Sequence, residues 1–259
     1  MAAAAPPGRA WADLVVVGGV LGLVSLLFLI VPQLDVTVSN LFFDAAHGFS
    51  GHRYAIVEGV RDAGRWVEWM FAIIVCIPYP LKLIFPAHPL LIRPRATLFV
   101  LASFLIGPGL IVNGILKEFW GRARPRSIVE FGGDATFSPA WWIADQCDRN
   151  CSFASGEAAS AFWVVGLAFI VPTARRRIVL ASTLLFAAAV SATRVAAGGH
   201  FISDVLIAWL LTLLVMLASK TIILDGLPPS FDAVIEECIA RAGRAARRLL
   251  AGHGTRPGI

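Results

Sequence analysis

The chain has 259 residues, of which 58% are hydrophobic and only 15% charged, with a net charge of +5. That balance lies outside the range of soluble globular domains. The excess positive charge is split among separate short segments between apolar stretches, which argues against a nucleic-acid surface.

Residues 1–13 are Ala/Pro-rich and expected to be flexible. Six apolar runs follow, at about 14–31, 66–84, 96–116, 158–171, 178–195 and 201–224. Most hold roughly 18–21 residues, enough to cross a hydrocarbon core of about 30 Å. Lipid offers no partner for unpaired backbone groups, so such runs are helices. The fourth is short and reaches membrane length only if Phe153 to Gly156 extend it. The expected fold is an all-α polytopic membrane protein, six transmembrane helices in one domain over 14–224, followed by a cytoplasmic tail over 225–259. No small-residue cleavage site follows the first run, which therefore reads as a retained span. Between the first two runs, Tyr54 to Trp69 has the pattern of an amphipathic helix at the interface, with Trp66 and Trp69 at headgroup depth.

Lys82, Arg93 and Arg95, then Arg175, Arg176 and Arg177, then Arg241, Arg244, Arg247 and Arg248 all fall on one side if the runs alternate. Positive residues mark the cytoplasmic side, which puts both termini inside a bacterial inner membrane. The basic stretch Lys117 to Arg126 falls on the outer side, against that rule, and points to an anionic ligand. Cys76 and Cys238 read as inert packing thiols. Cys147 and Cys151 lie in an outer loop, where a small disulfide is expected; free thiols and a weak C-x3-C zinc signal are the alternatives. Trp141-Trp142 reads as an interfacial aromatic belt or as a wall for a lipid. After Pro228-Pro229, Ser230 can cap an amphipathic helix lying on the anionic cytoplasmic leaflet, the alternative being a solvated tail.

Polar residues gather at the outer ends of the runs. Lys117 follows the third, Ser155-Gly156 precede the fourth, Arg194 ends the fifth, and His200 and Asp204 begin the sixth. Charge at such places is expensive and marks function. Arg124 and Arg194 offer planar forks for phosphate oxygens, and Lys117 a point charge. Ser155-Gly156 at a helix start present N–H groups to an anion, and Gly allows close approach. His200 and Asp204 are four apart and share a helix face, so the acid can hold one ring nitrogen and leave the other free to attack. No cluster of carboxylates and histidines suits a pair of metals, so no metal or other cofactor is expected and the favoured route is covalent.

The pattern Lys117-x6-Arg124-Pro125, Ser155-Gly156, Arg194-x5-His200-x3-Asp204 resembles the type 2 phosphatidic acid phosphatase (PAP2) family, which includes bacterial lipid phosphatases. The resemblance runs from Lys117 to Asp204. It implies that His200 becomes phosphorylated, that Asp204 orients it, and that Lys117, Arg124, Ser155, Gly156 and Arg194 bind the phosphoryl group. Two positions depart from the family pattern. Glu157 stands where the family's Pro-Ser-Gly-His motif has its acid for the leaving alcohol, and Thr193 stands where Ser is usual. Glu157 is the expected replacement acid. The stretch Asn150 to Ala159 resembles a Gram-negative subgroup that includes lipid A phosphatases acting at the 1 or 4′ position. The expected partner is a phosphorylated membrane lipid handled at the periplasmic face, lipid A first. Undecaprenyl pyrophosphate, phosphatidylglycerophosphate and phosphatidate are alternatives, and a non-catalytic lipid-phosphate binder or transporter is the competing class.

Overall fold

Long apolar helices dominate the computed structural model, which describes residues 7–52 and 54–253. In chain order they are α1 (Pro7–Ile30), α2 (Gln33–Asn40), α3 (Ala55–Ile84), α4 (Pro94–Phe119), α5 (Gly156–Ile170), α6 (Thr173–Ala196), α7 (Ile202–Asp225) and α8 (Phe231–His253). A small antiparallel pair, β1 (Phe43–Asp44) and β2 (Gly48–Phe49), sits between α2 and α3. Among the described residues five helices, α1, α3, α4, α6 and α7, are long and apolar enough to cross a membrane. The chain is a multi-pass membrane protein.

Three boundaries and the placement of the tail differ from the sequence reading. The first helix begins at Pro7, a residue that suits a first helical turn, so helix replaces part of the expected flexible stretch 1–13; residues 1–6 lie outside the described ones. The expected interface helix and the second run are one element, the 30-residue α3, with a turn at Ile77 before Pro78. The fourth run does not grow backwards through Phe153, because Ser155 caps α5 and stops it there. At about 1.5 Å per residue α5 spans only about 22 Å. Its flanks are protein: Ala158, Ala159 and Ala161 are fully buried, and it packs on α6 and α7. Finally, α8 is bound to the bundle. Asp232 takes the backbone N–H and the Nε of Arg95 at 2.9 and 2.7 Å, and Glu236 takes Lys82 Nζ at 2.8 Å. Two of the basic residues used as topology markers, Lys82 and Arg95, thus also anchor the tail.

The interior of α4 is wound wide from Leu105 to Leu116 around Pro108, which has no N–H to give to the ladder. Asn113 Nδ2 donates to the Pro108 carbonyl at 2.7 Å. The core joins Phe71, Phe99, Trp163 and Met216 in one cluster and Val112, Phe153 and Ile207 in another. The loop from residue 120 to 155 covers the end of the bundle where α4 stops and α5 and α7 start. Cys147 and Cys151 in it form a disulfide. Trp141 Nε1 donates to Ser25 Oγ of α1 at 2.8 Å and its ring meets Trp120 and Phe153, so this tryptophan pins the loop; Trp142 is exposed.

Candidate active site

The loop is laid against the end of α4 by backbone pairing. Cys151 N–H donates to the Lys117 carbonyl at 3.2 Å and Ser152 N–H to the Arg122 carbonyl at 2.9 Å. Ser155 N–H donates to the Asp204 carbonyl at 3.2 Å, and His200 N–H to the Arg194 carbonyl at 3.3 Å. These bonds draw the three polar segments, spread over some ninety residues, onto one end of the bundle. Lys117, Gly156 and Glu157 share one cavity. Arg124 stands on the covering loop and donates to the Asn150 carbonyl at 2.7 Å.

His200 is almost fully buried. Its Nδ1 lies 2.7 Å from the Ser152 carbonyl and 3.7 Å from Asp204 Oδ2. A carbonyl can only accept, so Nδ1 carries the proton and Nε2 keeps its lone pair. Burial pushes the imidazole down to about 4, against the pull of Asp204. Asp204, expected to hold the ring, pairs with it at this longer distance and is itself held by other donors. Oδ1 accepts from Arg122 at 2.5 Å, and Oδ2 accepts from Ser152 Oγ at 2.6 Å and Phe201 N–H at 2.9 Å. The acid therefore fixes Ser152, and Ser152 faces the ring.

Arg122 was not singled out from sequence. It is fully buried and spends its guanidinium on Asp204, on Asp35 Oδ2 at 2.8 Å, on Ser203 Oγ at 2.9 Å and on the Ser138 carbonyl at 2.8 Å. Its plane stacks over Phe201, 4.3 Å from the ring centre. Asp35, from α2, also accepts from Ser203 N–H and Oγ, at 3.0 and 2.6 Å. Burial pushes the Asp35 carboxyl up, with Arg122 the main opposing influence. A third arginine so close to Arg124 was the available signal for Arg122; a lone acid after the first span was the weak one for Asp35.

Glu157 pairs with two arginines. Arg61 of α3 approaches Oε1 at 3.0–3.1 Å, and Arg194 Nε lies 2.7 Å from Oε2. The Arg194 contact is an ion pair that lacks the direction of a hydrogen bond. Arg61 is a further site cation the sequence reading missed, because it belongs to a segment read as an interface helix.

Ser155 caps α5, accepting from Ala158 N–H at 3.4 Å, and leaves the first N–H groups of the helix at the site. A methyl group on Gly156 would run into the Asn113 side-chain amide, which the Pro108 carbonyl holds in place. Gly156→Ala should therefore cost about 1–3 kcal/mol in thermal or denaturant unfolding. Adding Asn113→Ala should recover most of that loss.

Comparison with known proteins agrees with this geometry. Residues 96–226 match the PAP2 superfamily. The chain is 33% identical over 180 residues to a lipid A 4′-phosphatase of Francisella tularensis subsp. novicida, over 69% of this chain and 81% of that protein. It is 37% identical over 201 residues to a lipid A 4′-phosphatase of Rhizobium leguminosarum, over 72% and 86%. The crystal structure of a transmembrane PAP2 type phosphatidylglycerolphosphate phosphatase from Bacillus subtilis shares the fold with a TM-score of 0.55 at 20% identity, over 80% of this chain and 94% of that one. The matched segment carries every residue from Lys117 to Asp204 named above. The chain belongs to the PAP2 superfamily and is a membrane-embedded phosphomonoester hydrolase.

Proposed function

We propose that the protein removes the 4′-phosphate of lipid A through a phosphohistidine on His200, at the periplasmic face of a bacterial inner membrane. The observation that carries the mechanism is the buried neutral imidazole with a free Nε2, beside the Arg194 guanidinium that pairs with Glu157. That both relatives are lipid A 4′-phosphatases favours the substrate and the position. The disulfide beside the site suits an oxidising compartment.

The incoming phosphate dianion takes Arg194 from Glu157. Its oxygens are held by Lys117, Arg124, Arg194 and the N–H groups at the start of α5. His200 Nε2 attacks phosphorus, and the bond from phosphorus to the sugar oxygen breaks. Against desolvation by burial, Arg194 and Arg61 hold the Glu157 carboxyl below its usual range in the free site. Losing Arg194 to the phosphate and facing the dianion raises it, so that Glu157 takes a proton from solvent and gives it to the leaving oxygen. Water then attacks the phosphohistidine and returns a proton to Glu157, and inorganic phosphate leaves.

Mass spectrometry of lipid A incubated with the purified protein tests this reading: one phosphate should be lost from the distal glucosamine. Loss from the 1 position would correct the regiochemistry, and an unchanged lipid would refute the substrate. Glu157→Gln should slow release from lipid A by about 10²–10⁴-fold. It should slow a pyrophosphate far less, since that leaving group needs little help. Equal slowing of both would leave Glu157 a binding residue only.

A further inference from the structure

Beside the phosphate ligands lies a cavity of about 280 Å³ between α3, α4 and α5. Lys117 and Glu157 stand at its polar end, and Phe104 and Trp163 at its apolar end. His200 is not among its lining residues. In an in-line displacement the leaving group departs on the side of phosphorus opposite the nucleophile. A cavity bounded by phosphate ligands and lacking the nucleophile is placed for that leaving group, and its apolar end for the first carbons of an acyl chain.

Two acceptors stand on its wall. Glu68, on a membrane-crossing helix, makes no hydrogen bond or ion pair with any described residue, although it is half-buried. An ionisable group kept in such a place is expensive and marks a site. Asn113 commits its amide nitrogen to Pro108, which leaves its oxygen as the free group. A surface that offers acceptors selects a ligand that brings donors. The hydroxyl and amide N–H groups of an acylated amino sugar lie within a few bonds of its phosphate. The ester-linked glycerol of a diacyl phosphatidate has none.

We propose that this cavity is a leaving-group subsite in which Glu68 accepts hydrogen bonds from the sugar beside the phosphate, so that the enzyme distinguishes acylated sugar phosphates from glycerol phosphates. The inference rests on the lipid A reading above and names the residue that sets its specificity.

The test compares kcat/KM of the full-length protein in detergent micelles for lipid A and for dioleoyl phosphatidate, in wild type, Glu68→Leu and Glu68→Gln. Losing one hydrogen bond to a carboxyl acceptor is worth about 3–10-fold. Glu68→Leu should lower the lipid A to phosphatidate ratio by that factor, and Glu68→Gln, which keeps a carbonyl acceptor, should lower it less. A ratio that stays fixed in both variants, whether the two rates fall together or neither moves, overturns the inference and leaves the lipid A reading standing. A wild-type protein that hydrolyses phosphatidate and not lipid A overturns both.

Discussion

Replacing His200 by Ala should lower phosphate release by about 10⁴-fold or more, because no other side chain at the site presents a free nucleophilic nitrogen. Lys117, Arg124 and Arg194 are cations, and Glu157 is bound between two of the arginines. The fold should survive, since the ring makes one side-chain hydrogen bond, to the Ser152 carbonyl. Rapid acid-free quenching with labelled substrate should trap label on the wild-type chain and none on the variant. The pH dependence gives a second check. An imidazole must be neutral to attack, and an ordinary histidine loses half of its neutral form near pH 6.5. Burial pushes His200 down to about 4, so the neutral form persists across the whole range above that value. The His200-dependent limb of kcat/KM should stay level as pH falls through 6.5 and drop only as it approaches 4. A fall centred near 6.5 would mean that the nucleophile titrates as an exposed ring and that the burial argument fails.

Arg122→Met should destabilise the protein by about 3–5 kcal/mol, the cost of leaving buried charge without its partner. Asp35 and Asp204 are both fully buried, and both give an oxygen to this guanidinium. The variant should also lose activity, since Asp204 would drift from Ser152 and Ser152 from the ring. Adding Asp35→Leu removes one of the two stranded carboxylates, so stability should partly return while activity stays low. Thermal unfolding in detergent and phosphate release, measured on the wild type and both variants, separate the two effects. A single variant that melts with the wild type would show that the cluster carries no net stability.

The six motif positions that sequence placed at one membrane level do meet, because their spacing is fixed within single elements or at the ends of adjacent helices. Lys117 and Arg124 are one turn and a short loop apart. His200 and Asp204 flank the start of α7, His200 in the loop before the cap at Phe201 and Asp204 in the first turn, rather than sharing one helix face as expected. Asp35 and Arg61 were not legible in the same way. Each reaches the site across a long stretch of chain, and no local period announces such a pairing. The length of α5, short of a full span, was not legible for a different reason. Hydropathy registers how apolar a segment is, and a helix wrapped by α6 and α7 is as apolar as one wrapped by lipid. The start of α3 misled in the opposite sense. Arg61, Arg65 and Glu68 look like an interface pattern, yet the i, i+4, i+7 spacing puts them on one face, where Arg61 pairs with Glu157 and the other two border the leaving-group cavity.

Asp35 lies outside residues 96–226, the segment that matches the superfamily, yet it shares a buried cation with Asp204 inside that segment. The N-terminal helices are therefore not a detachable leader on a self-sufficient catalytic half. In descent, Asp35 and Arg122 are bound to one another. A lineage that loses either alone inherits a buried, poorly matched charge, and a lineage that loses both must find another way to steady Ser152. Exchange of the first two helices between relatives would succeed only where the donor brings an acid to the same place, so the two segments are selected as one unit despite the long stretch of chain between them.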